Sequence, residues 1–137
     1  MAYASLPDLI ARFAEAELAQ VADTDNTGEI DPALVNRALV DADAEIDAAL
    51  VGRYALPMDP VPELLVRIAC DLARESLYSD QPTPVVAERA KRARDLLAQI
   101  AKGIMRLGAE AAPAEDSALG LVEIVSGRQT SPFTGSF

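Results

Sequence analysis

A proline-bracketed segment between residues 31 and 57 constrains the fold most strongly, because its apolar residues recur every three or four positions. Asp31 can accept hydrogen bonds from free backbone amides, and Pro32 fits the first turn of a helix. Pro57 pushes the residue before it out of the helical region. The spacing therefore predicts an amphipathic helix from residue 32 to about 53. Its buried stripe is predicted to contain Val35, Ala38, Leu39, Ala42, Ile46, Ala49 and Leu50.

Two further segments repeat this arrangement of prolines and apolar stripes. Pro62 opens a predicted helix from 62 to 79, and Thr83-Pro84 opens another from 84 to 105. Small residues dominate both stripes, so the helices can approach closely and pack as a bundle. The stripes are Leu65, Ile68, Ala69, Leu72 and Ser76 in the first helix, and Val86, Ala90, Ala93, Leu97, Ile100 and Ile104 in the second.

The N-terminal region adds one or two short helices. Ser5 is a plausible cap for a helix that starts near Pro7 and buries Phe13, and a second helical turn is predicted near residues 15–22. Half of the chain is hydrophobic but only 4% is aromatic, so the core must consist mainly of Ala, Leu, Val and Ile. Ala and Leu favour helices. We therefore predict an all-α fold, a small bundle of four to five helices.

The composition changes after residue 108, which predicts a helical domain over 1–108 followed by a linker and docking arm over 109–137. Residues 121–125 could form one short strand, although this chain offers no obvious strand to pair with it. Two phenylalanines lie in the last five residues, and burying each would contribute ~1.5 to 3 kcal/mol. The expected docking residues are Leu121, Val122, Ile124, Val125, Pro132, Phe133 and Phe137.

Two locations for the docking pocket are open: the same molecule or another subunit. The sharper expectation is that residues 121–137 are disordered in the free protein and become ordered only against a partner.

Charge is unevenly distributed along the chain. Asp43 and Asp47 fall on one helix face, where we expect exposed carboxylates with ordinary pKa values, whereas Arg89 and Arg92 belong to a basic helix. These four residues are predicted to form electrostatic contacts between neighbouring copies, the alternative being ion pairs within one molecule. The net charge of -10 argues against specific nucleic-acid binding, which depends on Lys and Arg, but it is compatible with DNA passing nearby.

The sequence indicates no catalytic, metal or cofactor site. It has no histidine, and its single cysteine, Cys70, lies on an apolar helix face where a buried thiol is expected. The loop from Asp23 to Asp31 matches the first half of a calcium-binding EF-hand loop. Leu34 occupies the position of the required bidentate glutamate, so an acidic helix-entry loop is the preferred interpretation. We expect a protein that is not an enzyme.

No signal peptide or membrane span is predicted, because the N-terminus lacks a basic region and no apolar run approaches the ~18 residues that a span requires. These features favour synthesis and folding in the cytoplasm of the producing cell.

Several strings together resemble a family of small proteins encoded by Mu-like phages and prophages: LPDLIARF, TDNTGEID, DADAEID, GRYALP and the tail that ends in Phe137. That family is similar in structure to the head-to-tail connector, or adaptor, proteins of long-tailed phages. The resemblance implies a ring of about twelve copies beneath the portal protein. It also implies a C-terminal arm that reaches the portal, a surface for the neck or tail-completion protein, and location in the virion at the head–tail junction.

The acidic composition fits a channel through which double-stranded DNA passes without specific binding, because carboxylates repel phosphates. Two other classes remain open: a small acidic regulatory or inhibitory protein, and a calcium-dependent binding module.

Overall fold

The computed structural model describes residues 1–79 and 81–108, and this part of the chain forms five α-helices without a strand. The predicted all-α fold is therefore confirmed. The possible strand at residues 121–125 lies outside the described residues. The helices are α1 (Leu6–Phe13), α2 (Glu15–Val21), α3 (Pro32–Leu50), α4 (Glu63–Leu77) and α5 (Pro84–Ala101).

The helix starts follow the capping residues that the sequence indicated. The Asp31 carboxylate accepts a hydrogen bond from the Ala33 amide at 3.0 Å, and the Thr83 hydroxyl accepts one from the Val86 amide at 3.3 Å. Before α1, the Ser5 amide donates to the Asp8 carboxylate at 2.9 Å. These contacts satisfy first-turn amides that have no partner within their helix.

The three long helices end earlier than predicted, at Leu50, Leu77 and Ala101. After α5, Gly103 takes a left-handed conformation with φ of 80° and donates its amide to the Ile100 carbonyl. That backbone geometry ends the helix, and it suits glycine because a side chain would be strained there. Ile104 was expected on the α5 stripe but is 73% exposed, because it lies beyond the end of the helix.

α4 is the central helix and packs against both α3 and α5, while α1 packs onto α4 and α3. The core side of α4 includes Ala73 and Leu77, so the predicted stripe position at Ser76 is exposed instead. Cys70 is fully buried, as expected, and burial raises the pKa of its thiol to about 12. Within the described ranges, no helix combines the length and apolar content needed to cross a bilayer.

Candidate functional site

A groove of about 600 Å³ runs between α4 and α5 and is lined by both apolar and charged side chains. Leu96 supplies apolar surface to the groove, whereas Ile68 and Ala93 line it but are almost fully buried. Val85, near the start of α5, is 62% exposed beside it. The charged lining residues are Arg67, Asp71, Glu88, Arg89 and Arg92. An apolar concavity with a few polar groups is the usual form of a binding site.

Asp71 is the unusual member of this lining, because it is a carboxylate only 4% exposed on the central helix. Its Oδ1 atom lies 3.3 Å from Arg89 Nε, which gives an ion pair, but the geometry does not fit a hydrogen bond and Oδ1 has no hydrogen-bond partner. Burial raises the pKa of Asp71, against the opposing charges of Arg89, Arg67 and Arg74. Asp71 is therefore a buried carboxylate at the side of the groove that is held mainly by the positive charge of Arg89.

A second polar cluster joins the α1–α2 junction to α4. Arg74 donates to both carboxylate oxygens of Glu17, at 2.7 Å from Nε and 3.0 Å from a terminal nitrogen, and the Tyr78 hydroxyl donates to the same carboxylate at 2.7 Å. The Arg74 guanidinium carbon lies 4.2 Å from the centre of the Phe13 ring. A bidentate pair with a cation–π contact fixes the orientation of both side chains.

Burial by itself would raise the pKa of Glu17, but the hydrogen bonds from Arg74 and Tyr78 outweigh it and lower the pKa below its usual value of 4.5. A carboxyl group whose pKa is lowered by folding stabilises the protein above its unfolded pKa, and it loses this effect as the pH falls through the folded pKa. The cluster should therefore stabilise the fold at neutral pH and weaken in acid.

Replacing Glu17 with Gln should lower the free energy of unfolding by about 1–3 kcal/mol at neutral pH, because Arg74 loses its charged acceptor. The difference from the wild type should shrink as the pH falls below 4.5. Urea unfolding across this pH range measures both effects. Glu88→Gln, in an exposed pair with Arg92, is the matched control and should change little. A Glu17→Gln effect that stays constant with pH would contradict the assignment.

Asp43 and Asp47 bind the N-terminal segment of their own chain. Asp47 accepts hydrogen bonds from the Met1 ammonium group and the Tyr3 hydroxyl, each at 2.7 Å, and Asp43 accepts one from the Tyr3 amide at 3.1 Å. Burial raises the pKa of Asp43, so the expectation of an exposed carboxylate with an ordinary pKa was wrong for this residue. Sequence reasoning missed Tyr3, which is 2% exposed, because it precedes the first helix and belongs to no periodic stripe.

Arg89 and Arg92 likewise have partners within the chain. Arg89 lies against Asp71, and Arg92 lies 3.4 Å from Glu88, one helical turn away. The described structure pairs neither arginine with Asp43 or Asp47. The expected contact of these four residues between neighbouring copies stays a prediction.

In the acidic loop before α3, carboxylates accept hydrogen bonds from backbone amides of the same loop. Asp23 accepts hydrogen bonds from the amides of Thr27 at 2.8 Å and Gly28 at 2.6 Å, which lower its pKa. The Thr24 hydroxyl donates to Asp31 at 2.7 Å. In residues 1–79 and 81–108, no three His, Cys, Asp or Glu side chains are grouped to hold a metal ion. The hydrogen bonds of Asp23 and Asp31 give the loop the geometry of a helix entry.

The predicted docking residues of the tail lie outside the described residues. They are Leu121, Val122, Ile124, Val125, Pro132, Phe133 and Phe137. Their docking role is therefore untested by the structure.

Comparison with known proteins identifies the family. The family described as Bacteriophage Mu, Gp36 matches residues 3–125, which include all five helices. The Mu-like prophage FluMu protein gp36 of Haemophilus influenzae is 34% identical over 106 residues, covering 77% of this chain and 75% of the relative. Gene product J of Escherichia phage Mu is 34% identical over 115 residues, covering 80% of this chain and 79% of the relative. The resemblance to Mu-like phage proteins is confirmed, and the chain belongs to the Mu Gp36 family.

Proposed function

We propose that this protein is a structural head–tail connector of a Mu-like phage, which forms a ring beneath the portal and joins the capsid to the neck or tail. The observation that carries this proposal is the match to the Mu Gp36 family over residues 3–125 in a chain whose described part is an all-α bundle. The likeness of that family to the adaptor proteins of long-tailed phages supplies the specific role. The ring contains about twelve copies, as closed rotational symmetry permits.

The proposed role requires shape, charge and contact surfaces, and no chemical reaction is part of it. With a net charge of -10, the assembled ring repels the phosphate backbone, so double-stranded DNA can move through the channel without being trapped. The exposed side chains of Asp25, Glu29 and Asp41 contribute to this acidic surface. The proposed location is accordingly the virion, at the head–tail junction.

Contacts between copies use the basic surface of α5. Arg92 has a side chain that is 64% exposed and a weak partner in Glu88, so a carboxylate of a neighbouring copy can replace that partner at little cost. Arg89 has a side chain that is 44% exposed and provides a second positive charge. Asp43 and Asp47 are less available than expected, because a contact with a neighbour competes with Met1 and Tyr3.

Binding to the portal tests the connector role directly. The purified protein, mixed with the portal protein of the same phage, should give a stoichiometric ring-on-ring complex by native mass spectrometry. A mixture with the major capsid protein of that phage is the control and should give no such complex. Failure to bind the portal under conditions in which both proteins are folded would contradict the proposal, and stoichiometric binding to a host regulatory protein instead would favour the regulator class.

A further inference from the structure

We propose that the acidic loop between α2 and α3, residues 23–31, inserts into the groove between α4 and α5 of a second copy of this chain. The inference deepens the proposed connector function and rests on it for the closure of the assembly into a ring. It names the two surfaces that meet when copies associate. The contact itself can be measured on the purified protein, without the portal.

The acidic loop protrudes from the helical body. Residues 24–29 are exposed without interruption, which is the longest such run in the described part of the chain. The Asp23 carboxylate accepts hydrogen bonds from two amides of the loop, and at its base the Asp31 amide donates to the Ala22 carbonyl at 2.6 Å. A loop that is already held in one conformation loses little conformational freedom when it binds.

Two carboxylates of this loop are available for a contact with another molecule. Asp25 and Glu29 are exposed, and within the described ranges neither forms an ion pair. No residue of the loop lines the groove of its own chain. A contact between the loop and a second copy therefore breaks no ion pair of the described structure.

The groove provides matching positive charges. Arg67 is exposed, and no carboxylate of residues 1–79 and 81–108 forms an ion pair with it. Arg92 is also exposed, and its contact with Glu88 is an exposed pair that contributes little to stability. Both arginines line the groove. Two available cations of the groove thus correspond to two available carboxylates of the loop.

The two surfaces also complement each other in shape. The groove is a concavity of about 600 Å³, a size typical of clefts that hold one small ligand. An α-helix with its side chains is about 10–12 Å in diameter, so a short convex loop suits this volume better than a whole helix. The exposed side chain of Val85 lines the same groove and adds apolar surface to the contact.

The contact joins different surfaces of the two copies, so it is head-to-tail. Each copy keeps one loop and one groove for its two neighbours, and such contacts close into a ring when the rotation between copies permits. Ion pairs between copies leave the net charge of each copy at -10, so the assembled ring still repels DNA.

Sedimentation velocity of the purified protein over a range of concentrations tests this proposal. The wild type should associate at low salt, and the association should weaken as salt is added, because salt screens exposed charges. A loop variant, Asp25→Arg with Glu29→Arg, should raise the dissociation constant at least about tenfold. A groove variant, Arg67→Glu with Arg92→Glu, should have the same effect.

A mixture of the loop variant and the groove variant should associate again, because each reversed surface then meets a surface of opposite charge. A protein that carries all four substitutions should associate by itself for the same reason. Asp41→Arg and Lys91→Glu are the matched controls, since both residues are exposed and lie outside the loop and the groove. Neither control should change the dissociation constant.

Three results would overturn the proposal. One is a wild type that stays monomeric at low salt up to about 1 mM. Another is a loop or groove variant that associates as the wild type does. The third is a mixture of the two variants that stays dissociated although circular dichroism shows both to be folded. Portal binding is measured separately, so failure of the loop–groove contact can be distinguished from failure of the connector proposal.

Discussion

Deleting residues 121–137 is expected to abolish the joining of heads to tails and to reduce the yield of infectious phage by several orders of magnitude. The deletion removes all seven predicted docking residues, and the loss would be repeated in every subunit of the proposed ring. The described core lies within residues 1–108, so the helical body should remain folded. Complementation of a phage that lacks the gene, followed by electron microscopy of lysates, measures the effect. Filled or leaking heads without tails are the expected particles.

Substituting the two terminal phenylalanines separates a loss of docking from other effects of the deletion. Phe133→Ala with Phe137→Ala should reproduce much of the defect, because burial of each phenylalanine side chain would contribute ~1.5 to 3 kcal/mol of binding free energy per subunit. Gln129→Ala with Thr130→Ala changes the same tail without removing an apolar anchor and should support normal yield. Normal yield from the phenylalanine variant, or a deletion protein that melts more than about 10 °C earlier, would show that the tail does not act as a docking arm.

Replacing both Asp43 and Asp47 with Lys is expected to destabilise the monomer by about 2–4 kcal/mol. The double variant removes three hydrogen bonds to the N-terminal segment and places two positive charges beside the Met1 ammonium group. The buried Tyr3 then loses both of its carboxylate contacts. Urea unfolding of the isolated protein measures the change.

The matched control for this double variant lies on the same helix. Asp41→Lys alters an exposed α3 residue that makes no ion pair in the described structure, and it should change stability by less than about 0.5 kcal/mol. If the doubly substituted protein is as stable as the wild type, the contacts with the N-terminal segment do not stabilise the fold. That result would favour the prediction from sequence, in which both carboxylates are exposed and contact neighbouring copies.

The helix starts could be predicted from sequence because their signals are local. Asp31-Pro32 and Thr83-Pro84 place a cap next to a residue that fits the first turn, and both pairs begin helices in the structure. The helix ends were less predictable, since the end of α5 depends on the left-handed backbone conformation at Gly103. Apolar periodicity continues past such a point in the sequence even when the helix does not, as Ile104 shows.

The candidate site was only partly predictable, because its contacts join distant parts of the chain. Arg89 and Arg92 were selected for their charge, and both line the groove. Asp71 was missed, although a carboxylate beside the predicted stripe residues Ile68 and Leu72 is a usable signal of a buried polar group. The pair of Glu17 and Arg74 joins residues 57 positions apart and has no local sequence signal. Such pairs require the tertiary fold before they can be recognised.

A cryo-electron microscopy map of the neck of the virion tests the connector role most directly. We expect a ring of repeated density immediately beneath the portal, into which the described five-helix body fits with α3, α4 and α5 resolved. A C-terminal arm should extend from this ring to the portal. A neck in which the density beneath the portal is fully explained by other proteins, with no site for this helical bundle, would contradict it.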